Sequence, residues 1–509
     1  MSFDRKIVSG IFWVFLSTLA SRVLSFLSKI ILLKLLIPED FGIAQTAFLA
    51  LESLQLLREF GFSSALIYRK QDIAEAADVT FWITNLTSLV YAAIAFFGAP
   101  LIAAFFNDPR ITPVVQVLAF TLLIRSPGTV HFVLLAKELD FKRKVLPDVI
   151  PTVGYGILAI VLGVLGFGVW ALVWGKILEA ILGVILVWLV VPYRPAFRFN
   201  TRIAREMFNY GMHLVVSQIL IFAITNVDDA FVGRMAGMAA LGVYGIAYLL
   251  SNIPATQITA LVNQVMFPAF ARLQDDLPYF RLTFFRTVRF VSLLSVPVAI
   301  LTIFFAADFI HVLDPVKWGD AVLPIQLLAV YGLCRSVAAN MGNVFKGGGK
   351  PQWLTYIALW RLATMLIFLY PAVYYWGVVG VSALSAIVAV VDWFISAWLC
   401  NKVIGASLRM YGRLLLPALA FAILSAAITF GLRTLLFGEA SLLSLLFSGA
   451  VAMTLYAGLT LVTSVSLVSG IAFFPGIAGV SLVTRWTCWA RWPAARDHAK
   501  PGQQHGNSN

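Results

Sequence analysis

The chain has 509 residues, of which 61% are hydrophobic and 12% are charged, and its formal net charge is +13. Soluble domains contain about 25% charged residues and about half apolar ones, so this composition excludes a soluble globular protein. The apolar residues are gathered in runs of about 20, the length of helix that crosses a hydrocarbon layer of ~30 Å. The sequence therefore predicts an all-α, polytopic membrane protein.

Fourteen apolar runs follow one another along the chain. We predict membrane-spanning helices at residues 9–33, 42–63, 79–105, 111–135, 148–167, 169–191, 207–227, 240–265, 287–307, 321–345, 353–373, 377–400, 414–436 and 445–470. Counting Arg289, which lies in the first turn of span 287–307, twenty-five of the 37 basic residues fall on one alternate set of connecting segments and span ends. The other set contains only Lys34, Arg110, Arg234, Lys317 and Arg433, the last of which lies in the final turn of span 414–436. Since basic segments stay on the cytoplasmic side, we expect both termini to be cytoplasmic.

The two halves of the chain repeat each other. The residues Gln116–Ala119 and Leu123–Ser126 recur as Gln326–Ala329 and Leu333–Ser336, which lie 210 positions later. Further matches keep the same order: Phe41–Ala44 with Leu241–Tyr244, Asn107–Pro109 with Leu313–Pro315, and Gly168–Leu172 with Gly380–Leu384. Because each copy contains an even number of spans, the copies enter the membrane in the same direction and are predicted to be parallel repeats.

This repeat predicts the organisation of the chain. Residues 1–205 and 206–413 each form a six-helix bundle, and residues 414–475 add helices 13 and 14. Residues 476–509 are a tail that we expect to be cytoplasmic and disordered.

Exposing a charged or polar side chain to lipid costs free energy, so such residues inside the spans identify helix faces that line a hydrated cavity or pack against another helix. Arg22 and Lys29 share one helix face, as do Glu52 and Glu59. The candidates for a substrate cavity are Arg22, Lys29, Arg58, Arg125, Arg335, Arg361, Asn252 and Asn263. The candidates for ion coupling are Glu52, Glu59 and Asp392. A structural alternative is that Arg22 and Lys29 pair with Glu52 and Glu59 and fix helix packing.

Other polar residues receive simpler interpretations. Lys176 and Glu179, three positions apart, predict a local ion pair. Asp228 and Asp229 lie near the predicted outer end of a span, where we expect them to be solvated. The three cysteines have no metal-binding spacing, so no metal site and no cofactor is predicted.

Four segments carry a family resemblance: Gly61–Ile67 with Arg69 and Lys70, Leu135–Phe141, Gly168–Gly175 and Phe267–Gln274. They resemble the polysaccharide-export flippases of the multidrug/oligosaccharidyl-lipid/polysaccharide superfamily. The similarity is greatest to exporters of colanic-acid-like and succinoglycan-like exopolysaccharides, and it covers roughly residues 1–430.

The resemblance implies a MATE-like fold that works by alternating access. The implied cargo is a polyprenyl-pyrophosphate-linked oligosaccharide, moved across the bacterial inner membrane for exopolysaccharide or lipopolysaccharide synthesis. The implied coupling ion is a proton or sodium, and the expected partners are membrane lipids, a polysaccharide polymerase and export machinery, with no nucleic acid. A flippase for lipid-linked peptidoglycan precursor remains an alternative. A membrane glycosyltransferase or polymerase is a weaker one, because the outer segments are short.

Overall fold

The structure is a computed structural model that describes residues 20–58, 60–138, 141–259, 262, 266, 270, 276–350, 352–405 and 408–471. Nearly all of these residues are helical and none of them is in a β-strand, which confirms the all-α prediction. The chain divides into two compact units, residues 1–453 and residues 454–509. The described part of the second unit is the end of the last helix, so the contacts discussed below belong to the first.

Fifteen α-helices are described, together with a π-helical turn at Pro254–Ile258 and a 3-10 turn at Gly319–Ala321. Helix α1 covers residues 20–35, and α2 to α15 are Pro38–Arg58, Phe62–Tyr68, Ile73–Phe106, Ile111–Lys137, Phe141–Val164, Val169–Val190, Thr201–Ala236, Met238–Ser251, Leu277–Leu313, Pro315–Trp318, Val322–Gly347, Gln352–Ile404, Leu408–Phe437 and Leu442–Ile471. Each predicted span overlaps one of these helices.

Among the described residues, nine helices are long and apolar enough to cross a membrane, so the protein is a multi-pass membrane protein. The longest of them, α13, has 53 residues and is interrupted at Gly377, where φ is 54° and ψ is −136°. Only glycine adopts this backbone conformation readily. Gly377 therefore joins two helical arms that correspond to the predicted spans 353–373 and 377–400. The total of fourteen spans stays a prediction.

Helix α4 illustrates how these helices pack in a membrane. Its large side chains are exposed along one stripe, formed by Leu86, Val90, Ile94, Phe97, Leu101 and Phe105. Its buried stripe consists of small residues: Thr84, Ser88, Ala92, Ala95, Ala99 and Ala103. Lipid is as apolar as leucine, so helices in a membrane associate through small residues that let their backbones approach closely. The small stripe of α4 accordingly packs on α5.

Local structure supports the sequence repeat. The Gln116 amide donates a hydrogen bond to the Phe96 carbonyl at 3.3 Å, and its repeat equivalent Gln326 donates to the Ile303 carbonyl at 3.0 Å. Asp108 and Asp314 also make equivalent turns, since each carboxylate accepts a backbone N–H from the residue two positions later. The two repeats therefore share hydrogen bonds as well as amino-acid identities.

One landmark of the repeat is shifted in the structure. Gly168 has φ 55° and ψ −133°, and Gly377 has nearly the same values. This pairs Gly168 with Gly377, three residues before Gly380, which the sequence comparison had matched. The positive φ at the start of the helix requires glycine at this position. Comparison of amino-acid identities alone cannot tell this glycine from another one nearby.

The two repeats meet where α2 packs on α9. A Cβ atom at Gly42 would lie 1.8 Å from the carbonyl oxygen of Met238, and one at Gly242 would lie 1.9 Å from that of Pro38. Close backbone approach of this kind is possible only without side chains at both glycines.

The segment 191–200, which connects the repeats, is attached to the first repeat. The Asp78 carboxylate accepts hydrogen bonds from the Tyr193 hydroxyl at 2.8 Å and from the Ala196 N–H at 3.1 Å. The Trp82 indole donates to the Ala196 carbonyl at 2.9 Å. The segment lies at the side of the molecule where α3, the start of α4, the end of α5 and the start of α8 also lie, which we call the basic side.

Helix α14 is fixed to the second repeat by a buried ion pair. The Arg433 guanidinium lies 3.0 Å from the Asp308 carboxylate at the end of α10, and the two side chains are 8% and 13% exposed. Helices α10 and α14 are in contact.

Candidate functional site

The membrane helices of the first repeat contain a cluster of charged residues. This N-half cluster consists of Lys29 on α1, Glu52 on α2, Arg125 on α5, and Lys176 and Glu179 on α7. Glu179 is at its centre, 2.6 Å from the Lys176 ammonium and 3.8 Å from the Arg125 guanidinium. The predicted pair of Lys176 and Glu179 is therefore confirmed, and Arg125 shares the same carboxylate.

The remaining charges of the N-half cluster surround this centre. Lys29 is within electrostatic range of Lys176 and Glu179, and Glu52 is within range of Lys176 and Arg125. The Lys176 ammonium also lies 4.9 Å from the centroid of the Tyr155 ring, a distance at which the ring stabilises a cation. Three cations face two carboxylates in this cluster, so its net charge is positive.

One residue of the N-half cluster, Glu52, lies near the second repeat. Glu52 on α2 is exposed and interacts electrostatically with Asp229 on α8. The side chain of Arg125 is 40% exposed and that of Lys176 is 33% exposed. Both cations are therefore partly accessible.

A second cluster lies in the second repeat. This C-half cluster consists of Asp228, Tyr244, Tyr248, Tyr331, Arg335, Arg361 and Asp392. The Arg335 guanidinium donates hydrogen bonds to the hydroxyls of Tyr248, at 2.9 Å, and Tyr331, at 2.6 Å. Arg335, the repeat equivalent of Arg125, is thus held by neutral hydroxyl groups where Arg125 is held by a carboxylate.

The carboxylates of the C-half cluster are enclosed. Asp392 lies 3.8 Å from the Arg361 guanidinium. Asp228 accepts a hydrogen bond of 2.5 Å from the Tyr244 hydroxyl. A small cavity between these residues is lined by Thr225, Asp228, Tyr331, Arg335, Arg361 and Ser385, together with apolar side chains.

Several polar atoms around this cavity have no hydrogen-bond partner among the described residues. They include Asp228 Oδ1, Asp392 Oδ1 and Arg361 Nε. Asp228 is 7% exposed and Asp392 is 9% exposed. A buried carboxylate oxygen without a partner is costly, so such atoms mark a place for a proton, a small cation or water.

The expectation that Asp228 is solvated is wrong. Helix α8 continues to Ala236, beyond the predicted end of the span at residue 227, and α9 then folds back so that Tyr244 covers Asp228. Sequence reasoning also missed Tyr248 and Tyr331. Tyr331 precedes Arg335 by four residues, and residues with this spacing are neighbours on one face of a helix. The spacing could therefore have identified Tyr331.

The other predicted cavity residues lie in different places. Arg22 is exposed on α1, and Asn252 is buried where α9 meets Gly332 of α12, outside the lining of the cavity. The Arg58 side chain, Glu59 and Asn263 lie outside the described residues, so they stay predictions.

Comparison with known proteins finds related sequences. The sequence profile of a family described as "Polysaccharide biosynthesis protein" matches residues 31–323. The teichuronic acid biosynthesis protein TuaB of Bacillus subtilis is 26% identical over 84% of this chain and 89% of its own length. The succinoglycan biosynthesis transport protein ExoT of Rhizobium meliloti is 24% identical over 70% of this chain and 72% of its own length.

Solved structures share the fold. The lipid II flippase MurJ in an inward closed conformation superposes with a TM-score of 0.65, covering 90% of this chain and 100% of its own at 14% identity. A multidrug resistance MATE family transporter in an inward-facing conformation gives a TM-score of 0.59, covering 75% of this chain and 96% of its own at 18% identity. The prediction of a MATE-like fold is confirmed.

Proposed function

This chain belongs to the polysaccharide biosynthesis protein family, and we propose that it is the flippase that moves a polyprenyl-pyrophosphate-linked oligosaccharide across the bacterial inner membrane. The cargo would serve exopolysaccharide or lipopolysaccharide synthesis. The names of the relatives support this proposal, since they include a succinoglycan transport protein. The protein is a transporter and carries out no covalent chemistry on the sugar.

The single observation that carries the proposal is the N-half cluster. Arg125 and Lys176 share one carboxylate, Glu179, and both cations are partly exposed, while Glu52 of the same cluster interacts with Asp229 on α8. The pyrophosphate of the cargo is multiply anionic, and arginine forms strong charge-assisted hydrogen bonds with phosphate oxygens. The excess positive charge of the cluster would therefore offset the charge of the pyrophosphate inside the membrane.

The transport step would be an alternation between the two repeats. They contact each other at α2 and α9, where the backbones touch at Gly42 and Gly242, and again where α3 meets α8. Rocking of one repeat against the other around a site between them exposes that site first to one side and then to the other.

We further propose that a proton or sodium ion drives the cycle through the enclosed carboxylates. From the sequence the candidates were Glu52, Glu59 and Asp392, and the geometry adds Asp228. Asp228 lines the cavity of the C-half cluster, and Asp392 lies 3.8 Å from Arg361, which also lines it. Each of the two carboxylates has an oxygen without a partner among the described residues. Binding of a cation there would weaken the hold of these carboxylates on Arg335 and Arg361.

The distribution of basic residues indicates the orientation of the chain in the membrane. The basic side carries Arg69, Lys137 and the arginines of segment 191–205, and basic segments remain cytoplasmic. We therefore propose that the basic side and both termini are cytoplasmic.

The test is to locate the cargo in cells that lack this chain. A membrane-impermeant glycosidase or lectin applied to spheroplasts reports whether lipid-linked oligosaccharide has reached the outer face. We expect complete units to accumulate on the cytoplasmic face and polymer to disappear. The wild-type gene should reverse both effects.

Two outcomes would contradict the proposal. If units reach the outer face and stay unpolymerised, the protein acts after translocation. If the accumulated lipid is the peptidoglycan precursor, the cargo has been assigned to the wrong class.

A separate experiment tests ion coupling. Asp228→Asn and Asp392→Asn should abolish the dependence of transport on the proton or sodium gradient. Unchanged dependence in both variants would remove these residues from the mechanism.

A further inference from the structure

The short helix α3, Phe62–Tyr68, lies between α2 and α4 on the basic side. The last carbonyl groups of a helix have no partner within the helix. The ammonium of Lys137 supplies partners at the end of α3: it donates to the carbonyl oxygens of Leu66, at 2.6 Å, and of Ile67, at 3.3 Å, and also to that of Arg69, the residue that follows the helix. An ammonium group has three N–H donors, so all of them are used on this one helix end.

Lys137 is at the end of α5, within the first repeat. Its charge also suits the position, because the carboxyl end of a helix is the negative end of its dipole. The contact therefore fixes α3 to α5, and the two move as one body with the first repeat.

Helix α3 and the residues that flank it also meet α8 of the second repeat. A Cβ atom at Gly61 would lie 2.4 Å from the Cα atom of Gly211, so the backbones touch. The rings of Tyr68 and Tyr210 are stacked, with centroids 5.0 Å apart and an angle of 12° between their planes. Arg69 completes the contact through an ion pair of 3.0 Å with Glu206.

The two contacts of α3 differ in character. Its contact with Lys137 consists of hydrogen bonds from a charged donor to carbonyl groups, which are strong. Its contact with α8 consists of the tyrosine stack, the ion pair with Glu206, the backbone crossing and a buried apolar cluster that contains Phe62 and Leu66 together with Ile203 and Met207. Because Lys137 lies in the same repeat as α3 whereas α8 lies in the other repeat, the contact with α8 is the one that opens when the repeats separate.

We propose that Lys137 is a positioning residue for transport: it holds α3 in the place where α3 closes the basic side of the cargo path against α8. This inference rests on the proposed function, because it assumes that the repeats separate during transport. Lys137 itself acts through α3 and does not touch the cargo.

The experiment measures whether α3 and α8 are in contact. Tyr68→Cys and Tyr210→Cys are combined in a protein in which Cys334, Cys400 and Cys488 are replaced by serine, and a short bifunctional thiol reagent is applied to membranes. We expect efficient crosslinking with Lys137 present and a decrease of at least fivefold with Lys137→Met. Lys137→Arg keeps the charge and the donors, so it should restore at least half of the crosslinking.

Two controls separate positioning from misfolding. Lys70→Met removes another lysine beside the same helix end, and it should leave crosslinking unchanged. The pair Lys34→Cys and Lys317→Cys reports on the opposite side, where the Lys317 ammonium donates to the Lys34 carbonyl, and its crosslinking should not fall with Lys137→Met. Unchanged crosslinking of the tyrosine-site pair in the Lys137→Met variant would overturn the proposal, whatever happens to transport.

A second measurement covers the case in which Lys137→Met fails to fold. With Lys137 present, a reducible crosslink between positions 68 and 210 should stop transport, and reduction should restore it. Full transport with the crosslink in place would show that this contact is not a gate. The crosslinking readout is independent of the cargo, so it distinguishes failure of this inference from failure of the proposed function.

Discussion

Gly42 and Gly242 occupy equivalent positions in the two repeats and pack directly on each other. A Cβ atom at Gly242 would lie 3.2 Å from the backbone nitrogen of Gly42. The contacts are reciprocal, since Gly42 also approaches the carbonyl group of Met238 as Gly242 approaches that of Pro38. Surfaces related by a two-fold axis make contacts of this kind. The sequence repeat is thus matched by a pseudo-symmetric interface.

Gly242→Ala should destabilise the protein. The new methyl group would overlap the Pro38 carbonyl oxygen, and separating α2 from α9 to admit it costs about 1–3 kcal/mol as overpacking. Thermal unfolding of the purified protein in detergent should show a lower Tm. The matched control is Gly98→Ala on α4, where no atom lies within 4 Å of the new Cβ and the helix itself gains stability. Equal Tm values for the two variants would contradict the close packing.

Arg125→Ala and Arg335→Ala should have different effects, although the two residues are repeat equivalents. Arg125 is accessible, so its loss should reduce transport at least tenfold with little change in the amount of folded protein. Arg335 is held by two tyrosine hydroxyls beside two enclosed carboxylates, and breaking such a buried polar network typically costs about 3–5 kcal/mol.

The measurement is transport together with the yield of monodisperse protein. Arg335→Ala should reduce both quantities in parallel. Arg234→Gln, which removes an exposed arginine from the opposite side, is the control and should change neither. A parallel loss for Arg125→Ala as well would make the N-half cluster structural.

Arg433→Met should weaken the attachment of α14. It leaves Asp308 buried without its cation, which costs about 3–5 kcal/mol. The double variant Arg433→Met with Asp308→Leu removes both charges and should recover most of the lost Tm. If the double variant is no more stable than the single one, packing rather than charge accounts for the effect.

Tyr193→Phe should loosen the segment that connects the repeats. Burial and the neighbouring Asp78 carboxylate raise the pKa of the Tyr193 hydroxyl above its ordinary range, so the group stays protonated and donates its hydrogen bond. Loss of a hydrogen bond to a charged acceptor costs about 1.5–3 kcal/mol. Cleavage by trypsin after Arg194 and Arg198 should become about tenfold faster, since 1.4 kcal/mol is a factor of ten.

The control for this variant is Tyr374→Phe, which changes an exposed tyrosine at the opposite side. Its cleavage pattern should match the wild type. Unchanged cleavage in Tyr193→Phe would mean that the Trp82 and Ala196 contacts suffice to hold the segment.

Much of the architecture was predictable from the sequence. Apolar runs of spanning length, the distribution of basic residues and the repeat of Arg125 as Arg335 depend on local composition and order, which a sequence records directly. The pair of Lys176 and Glu179 was predictable for the same reason, because helical spacing alone brings two residues three positions apart together.

The tertiary structure decided what lies opposite each side chain. Asp228 looked like a solvated residue because it follows a predicted span, yet the return of α9 places the Tyr244 hydroxyl on it. Arg125 and Arg335 have the same position in the repeat, but one faces a glutamate from α7 and the other faces two tyrosines. Helical periodicity fixes which residues share a face, whereas the partner across the interface depends on how separate helices pack, and that is a property of the folded chain as a whole.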